Sequence, residues 1–515
     1  MLAQFAMLKR SIPLILIATA LALTYLDRRA TARSNSDAVT FDNQIVRLLQ
    51  QKCQACHHEG DIAPFPFVTY DQAKLFGEAM REATESGAMP PWKAVDDCAP
   101  LDGVTRLTAD EREILAKWVD TGMSEGNAAD LPAPLRFDDS WPLGDPDVVL
   151  QPDQEFQANL GDDVYRCFSL PTDLRGDRFI SAIDVKPGVR SIVHHAIVYL
   201  DVNNESKPLD DADPLAGFEC PNNVRFTKES PLCWWVPGRT TGFENDGAAW
   251  LVPRGASLVL KIHYHVHHGG GGRDKTAVGL YFARKPVTKQ LRVLPLVNDV
   301  FTIPAGNPNY AVRQAAGLAG DAHVLGIAPH MQSLGRDMQV EAHRANGDTQ
   351  CLVRVEDWDA HWQRLYQLKE PIAIAAGTMI NLTAHYNNST SNPDNLNYPP
   401  IDVHPGEKTT DETCIAFVKY MFDAEKRELS SPQISGVSAD DGTLVVKGQG
   451  FSPGADILID GVRVTDTVNH KKKSKSQRLL MSSTDWNRLA PPGKQVSISV
   501  LNTDGVSSSP INYAR

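Results

Sequence analysis

The pentapeptide Cys53-Gln54-Ala55-Cys56-His57 constrains this chain more than any other stretch. Two thiols three positions apart, followed directly by an imidazole, match the attachment spacing of c-type haem. The thiols add to the porphyrin vinyl groups, and the histidine reaches the iron from the proximal side. A zinc site uses the same CxxC but needs a second ligand pair at matching spacing. No second CxxC or CxxH occurs in the 515 residues. A thioredoxin-like pair is the remaining alternative. Haem iron also needs a distal ligand. Met89, in Gly87-Ala88-Met89-Pro90-Pro91-Trp92, is the candidate, because the two prolines stiffen an extended loop directly after it. Met80 and Met123 fall in helical or helix-end contexts. A Met/His pair raises the reduction potential and suits electron transfer. His58 reads as a solvated neighbour.

The segment around this motif reads as a small all-α cytochrome c-like domain over 36–134. Ile45, Leu48 and Leu49 space as one face of a helix entering the motif. Thr108-Ala-Asp-Glu111 is a capping box that opens a second helix, with Ile114, Leu115, Trp118 and Val119 on one side.

The N-terminus agrees with covalent haem, which is assembled outside the cytoplasmic membrane. Lys9 and Arg10 precede an uncharged apolar run over 12–26, the pattern of a secretory leader. Residues 1–32 are expected to be a signal peptide or a membrane anchor, since the run is short of the ~20 residues a spanning helix needs. The expected location is periplasmic or otherwise extracytoplasmic. In that compartment the six cysteines outside the motif read as disulfides; sequence does not fix their connectivity, and proximity with domain membership points to Cys220–Cys233 and Cys351–Cys414. A net charge of -12 argues against nucleic acid, which needs a basic face.

Beyond Pro134 the pattern changes. Short apolar runs alternate with Gly, Pro and Asn/Asp turns, and the chain holds 34 Pro and 36 Gly, which predicts a mainly β, multidomain protein. Two β-sandwiches, over 141–288 and 289–428, account for the length. Histidine is concentrated here: His194, His195, His263, His265, His267, His268, His323 and His330. Imidazole is the common ligand of copper, zinc and iron, and His-Xaa-His in a strand places both rings on one face. His194, His195 and His263, on apolar strands, are the candidate metal set.

These residues carry a resemblance. His194-His195, then Val259-Leu-Lys-Ile-His-Tyr264, resemble the copper type II ascorbate-dependent monooxygenases. More narrowly, Met89-Pro-Pro-Trp92, Trp118-Val-Asp-Thr-Gly122 and Trp141-Pro-Leu-Gly-Asp-Pro-Asp147 are similar to segments of bacterial members that fuse a cytochrome c module to the two copper domains. The resemblance implies two tandem jelly-roll-like sandwiches. One copper, on three histidines, passes electrons; here His194, His195 and His263 match. A second copper activates oxygen on a His-Xaa-His pair and a methionine. Here His330 is retained, but Gln332 and Thr413 stand at the other two ligand positions. Gln and Thr offer hard oxygen donors, whereas copper(I) prefers imidazole and thioether. Met331, His323 and His385 are candidates for rebuilding that second site.

The last segment, 431–515, has glycine-punctuated strands and resembles an IPT/TIG domain, an immunoglobulin-like sandwich. Lys471, Lys472, Lys473 and Lys475 read as a solvated hairpin loop. Two functions follow. One is an exported haem c- and copper-containing monooxygenase with His330 at its catalytic centre. It would take electrons from a periplasmic donor or ascorbate and hydroxylate a small-molecule or peptide substrate with O2. The alternative is a non-catalytic haem and copper carrier, favoured by Gln332 and Thr413.

Overall fold

The computed structural model describes residues 38–515 except 162, 221–230, 239–241, 245–246, 267–270, 407–409, 426–428, 430, 441, 472–476 and 482. The leader segment 1–32, His267, His268, Lys472, Lys473 and Lys475 therefore lie outside the described residues. Among the described residues no helix is long and apolar enough to cross a membrane.

The chain divides into two compact units. The first is helical and comprises 38–58, Phe65–Pro90 and Arg106–Arg136. A helix runs through Phe41–Ile45 into Val46–Lys52 and delivers Cys53 at its end. Helices Tyr70–Leu75, Gly77–Glu85 and Ala109–Asp120 complete the unit. The capping box forms as its sequence dictates. The Glu111 amide donates to Thr108 Oγ1 at 3.2 Å, and the Thr108 amide donates to Glu111 Oε2 at 2.7 Å. Ile45, Leu48, Leu49, Leu115, Trp118 and Val119 meet in one core.

The second unit comprises Glu59–Pro64, Pro91–Thr105 and Phe137–Arg515. Its first sandwich has two five-stranded sheets. One contains Asp163–Pro171, Ser257–His265 and Val193–Asp201 side by side; the other centres on Arg178–Lys186 and Ala277–Phe282. The second sandwich has two four-stranded sheets. Arg292–Asn298, Cys414–Phe422, Ala322–His330 and Tyr366–Ile374 form one; Tyr310–Gly317, Met379–Tyr386, Gly335–His343 and Thr349–Val355 form the other. Leu325 and Ala328, on Ala322–His330, belong to the core of the first sandwich. Apolar burial therefore runs from one sandwich into the next. The tail forms two further four-stranded sheets around Trp486, Ile457 and Ile498.

The disulfides correct the sequence expectation. The bonds are Cys167–Cys220 and Cys98–Cys351, while Cys233 and Cys414 are buried thiols. Pairing follows sheet neighbourhood rather than distance along the chain. Cys167 sits opposite Phe218 in the antiparallel pair that brings Cys220 within reach. Cys98 lies on 91–105, a strap on the second sandwich that bridges Ala94 to Val355 and Leu101 to Leu368. A sequence gives no sign that residues inside 36–134 close over a strand 253 positions later.

Candidate metal centres

His195 and His263 face each other across the antiparallel pair Val193–Asp201 and Ser257–His265. His194 and His195 are consecutive, so in a regular strand their side chains would point to opposite faces. The register shifts between Val193 and His195, and a β-bulge re-aims the extra residue. The shift turns His194 onto the same side as its neighbour. The rings of His194, His195 and His263 lie 4.8–5.6 Å apart by their centroids. One ring nitrogen from each lies within 4.8 Å of the other two.

The set is buried; His195 is 1% and His263 2% exposed. Burial first, then the neighbouring rings, pushes the pKa of His194 and His195 well below that of free imidazole. Burial also lowers His263, against the opposing pull of Asp163. All three are neutral near pH 7 and carry lone pairs. Asp163 Oδ1 lies 2.5 Å from His263 Nε2. A carboxylate there keeps the proton on Nε2 and leaves Nδ1 as the acceptor. His263 Nδ1 is buried without a hydrogen-bond partner, as is His195 Nε2. Each such atom costs about 1–3 kcal/mol unless something binds it. Stacking of Tyr165 on His263, with centroids 4.4 Å apart, fixes the ring plane. Three neutral, convergent imidazoles, one of them oriented by the Asp163 carboxylate, suit a copper or zinc ion.

The positions expected to form a second site are also neighbours. Ala322–His330 pairs antiparallel with Cys414–Phe422, with His330 opposite Ile415. Gln332 and Thr413 then continue the two strand ends. Glu412, fully buried, ties them together. Its carboxylate accepts the amides of Gln332 at 2.9 Å, Leu334 at 2.8 Å and Thr413 at 2.9 Å. Burial nevertheless pushes its pKa up to about 7. His330 donates from Nδ1 to Gln363 Oε1 at 2.5 Å, which leaves Nε2 as a lone pair. Burial, with the Lys261 ammonium next, lowers its pKa to about 4. Thr413 Oγ1 is buried and unpartnered. One imidazole, one amide and one hydroxyl remain a poor set for copper(I).

The three candidates for rebuilding that set lie elsewhere. Met331 is fully buried in the second core. His323 sits at the far end of the same strand, ~23 Å away at the usual rise, and bonds Asp423 at 2.6 Å. His385 lies on the outward face of Met379–Tyr386 and bonds Asp337 at 2.6 Å.

In the helical unit, Cys53, Cys56 and His57 occupy one tight turn, with the Cys56 and His57 amides both donating to Cys53 O. Neither thiol is in a disulfide, and burial pushes the Cys53 thiol up to about 12. His57 Nδ1 donates to Phe65 O at 3.0 Å and its ring stacks on Phe67 at 4.3 Å. That leaves Nε2 available beside an apolar wall of Phe65, Phe67 and Phe76. Two thiols and an oriented imidazole against aromatic rings fit haem c. Met80 is spent in the core and Met123 packs against it, whereas Met89 is 40% exposed. His58 departs from its expected solvation: it is buried and bonds Gln54 O at 2.8 Å.

The family model of the copper type II ascorbate-dependent monooxygenase C-terminal domain matches residues 303–435. Those residues belong to the copper type II ascorbate-dependent monooxygenase family. The matched region takes in the second sandwich apart from its strand Arg292–Asn298, with His330, Gln332 and Thr413 inside it. Dopamine beta-hydroxylase of Bos taurus is 18% identical over 250 residues, spanning 46% of this chain and 40% of that protein. The chain thus spans well under half the length of this curated relative. Among solved structures, a peptide-N(4)-(N-acetyl-beta-D-glucosaminyl) asparagine amidase aligns at a TM-score of 0.27 and 11% identity, over 54% of this chain and 97% of that one. The major capsid protein P2 of bacteriophage PM2 aligns at 0.23 and 8%, over 54% and 99%. Scores this low carry no argument.

Sequence reasoning missed Asp163, His361 and Gln363. None stands in a periodic pattern or beside another candidate ligand in the chain; only strand register and one loop bring them to the histidines.

Proposed function

We propose that this protein is an exported copper-dependent oxidoreductase of the monooxygenase family that takes electrons through haem c. The observation that carries the reading is the buried set His194, His195 and His263. Its unpartnered ring nitrogens are costly unless an ion uses them. Bound there, copper would supply one-electron storage and transfer. Haem c on Cys53 and Cys56, with His57 and Met89 as axial ligands, would supply electron entry in the same one-electron steps. Asp163 holds the His263 proton on Nε2. Tyr165 and the bulge at His194 keep the rings aligned, and burial keeps protons from competing with the metal. Two disulfides suit an oxidising, extracytoplasmic compartment. Ascorbate or a periplasmic donor is the reductant, and the family's reaction is O2-dependent hydroxylation of a small molecule or peptide. The tail sandwich is an IPT/TIG-like module.

A second reading, a haem and copper carrier without oxygenase activity, is favoured by Gln332 and the unpartnered Thr413 hydroxyl. Copper content and oxygen uptake of the haem-loaded protein under ascorbate decide between them. Oxygen consumption coupled to product supports the enzyme. Copper and haem that reduce without uptake support the carrier. A protein that takes no copper at His194, His195 and His263 overturns both.

A further inference from the structure

Beside the three-histidine set lies a second group that the family resemblance does not account for. Asp163, His265 and His361 each offer a ligand atom within 4.8 Å of the others. We infer that these three residues form a separate site for a divalent first-row transition-metal ion. The inference borrows only its location from the copper reading of His194, His195 and His263.

Strand register builds two of the ligands. Asp163 lies directly opposite His265 in the pair Asp163–Pro171 and Ser257–His265. Two residues along, Tyr165 lies opposite His263. His263 and His265 therefore share a face, one ring serving each set. Asp163 joins the two: Oδ1 lies 2.5 Å from His263 Nε2 and 3.2 Å from His265 Nδ1.

The third ligand comes from the other sandwich. His361 follows Thr349–Val355 in a turn where its amide donates to Asp359 Oδ1 at 2.9 Å. Its Nδ1 bonds the same oxygen at 3.0 Å. A carboxylate on Nδ1 fixes the tautomer and aims Nε2, as it does behind metal-bound histidines. The ring lies 5.2 Å from His265 and 5.8 Å from His194. Two imidazoles and one carboxylate leave coordination positions open, as in non-haem iron(II) sites. Side chains of Asp163 and His361 are 55% and 46% exposed, so solvent and small ligands reach the group. The buried three-histidine set has no such access.

Metal counting on the full, haem-loaded chain tests this. The parent carries His330→Ala, so that no ion at that position is counted. After chelation it is titrated with zinc(II), which is distinct from haem iron, and bound zinc is measured after desalting. The parent should hold two zinc ions per chain. His361→Ala and His265→Ala should each hold one, and His361→Gln should match His361→Ala if the ligand rather than the fold is lost. His263→Ala should also hold one, through loss of the neighbouring set. A parent with one zinc, lost in His263→Ala but kept in His361→Ala, overturns the second site and leaves the first standing. Two zinc ions in His361→Ala and His265→Ala overturn it as well. Two in His263→Ala contradict the three-histidine site instead.

Discussion

The two histidine positions of this protein differ in what their surroundings do. Around His194, His195 and His263 four features favour a ligand role: a bulge aligns two rings, Asp163 sets a tautomer, Tyr165 fixes a plane and burial keeps the imidazoles neutral. Around His330 the framework is equally well built, with Glu412 accepting three amides and Gln363 orienting the ring. Yet the other two side chains, Gln332 and Thr413, are weak donors for copper(I). A well-bonded framework can thus surround side chains that make a weak copper(I) donor set, because backbone hydrogen bonds hold the first and individual side chains supply the second.

The largest effect should come from breaking the stronger site. His263→Ala should abolish one full equivalent of copper while leaving covalent haem unchanged, measured by elemental analysis and the haem spectrum. Loss of haem with it would show that the helical unit and the first sandwich are not independent in loading. The reverse experiment supplies the missing donors: Gln332→His with Thr413→Met should add about one copper(I) per chain. No gain would mean that the second framework cannot ligate even with the family's residues.

Stability separates the regions further. Cys98→Ser with Cys351→Ser should cost about 2–5 kcal/mol, read by denaturant unfolding. It should leave copper affinity at the three-histidine set unchanged, because that bond ties a strap to the second sandwich. Glu412→Gln should cost less, about 1–3 kcal/mol, because one amide oxygen replaces a carboxylate shared by three N–H donors. Its effect should fall on the His330 region alone, and a change in copper affinity at His194, His195 and His263 would show that the two regions are coupled.

Much of this was legible in the chain. The capping box at Thr108 and the strands bearing His194 and His263 are local patterns, and local patterns survive in a sequence; the roles of Gln332 and Thr413 were only implied by the family resemblance. The Cys53-to-His57 spacing is the basis of the haem c proposal, with a thioredoxin-like pair as its alternative. The disulfides were not legible, because chain proximity does not report which strands pair. Nor were the fates of Met331, His323 and His385, each decided by a face or a strand end.

The sequence by itself determined the residue types: which imidazoles and thiols are present, and the alternation that makes strands of their segments. Tertiary structure alone decided their company. A one-residue register shift put two consecutive histidines on one side, and a loop of the second sandwich carried His361 to Asp163 and His265 of the first. Strand pairing and loop placement are set by burial summed over whole sandwiches, which no short stretch of chain encodes.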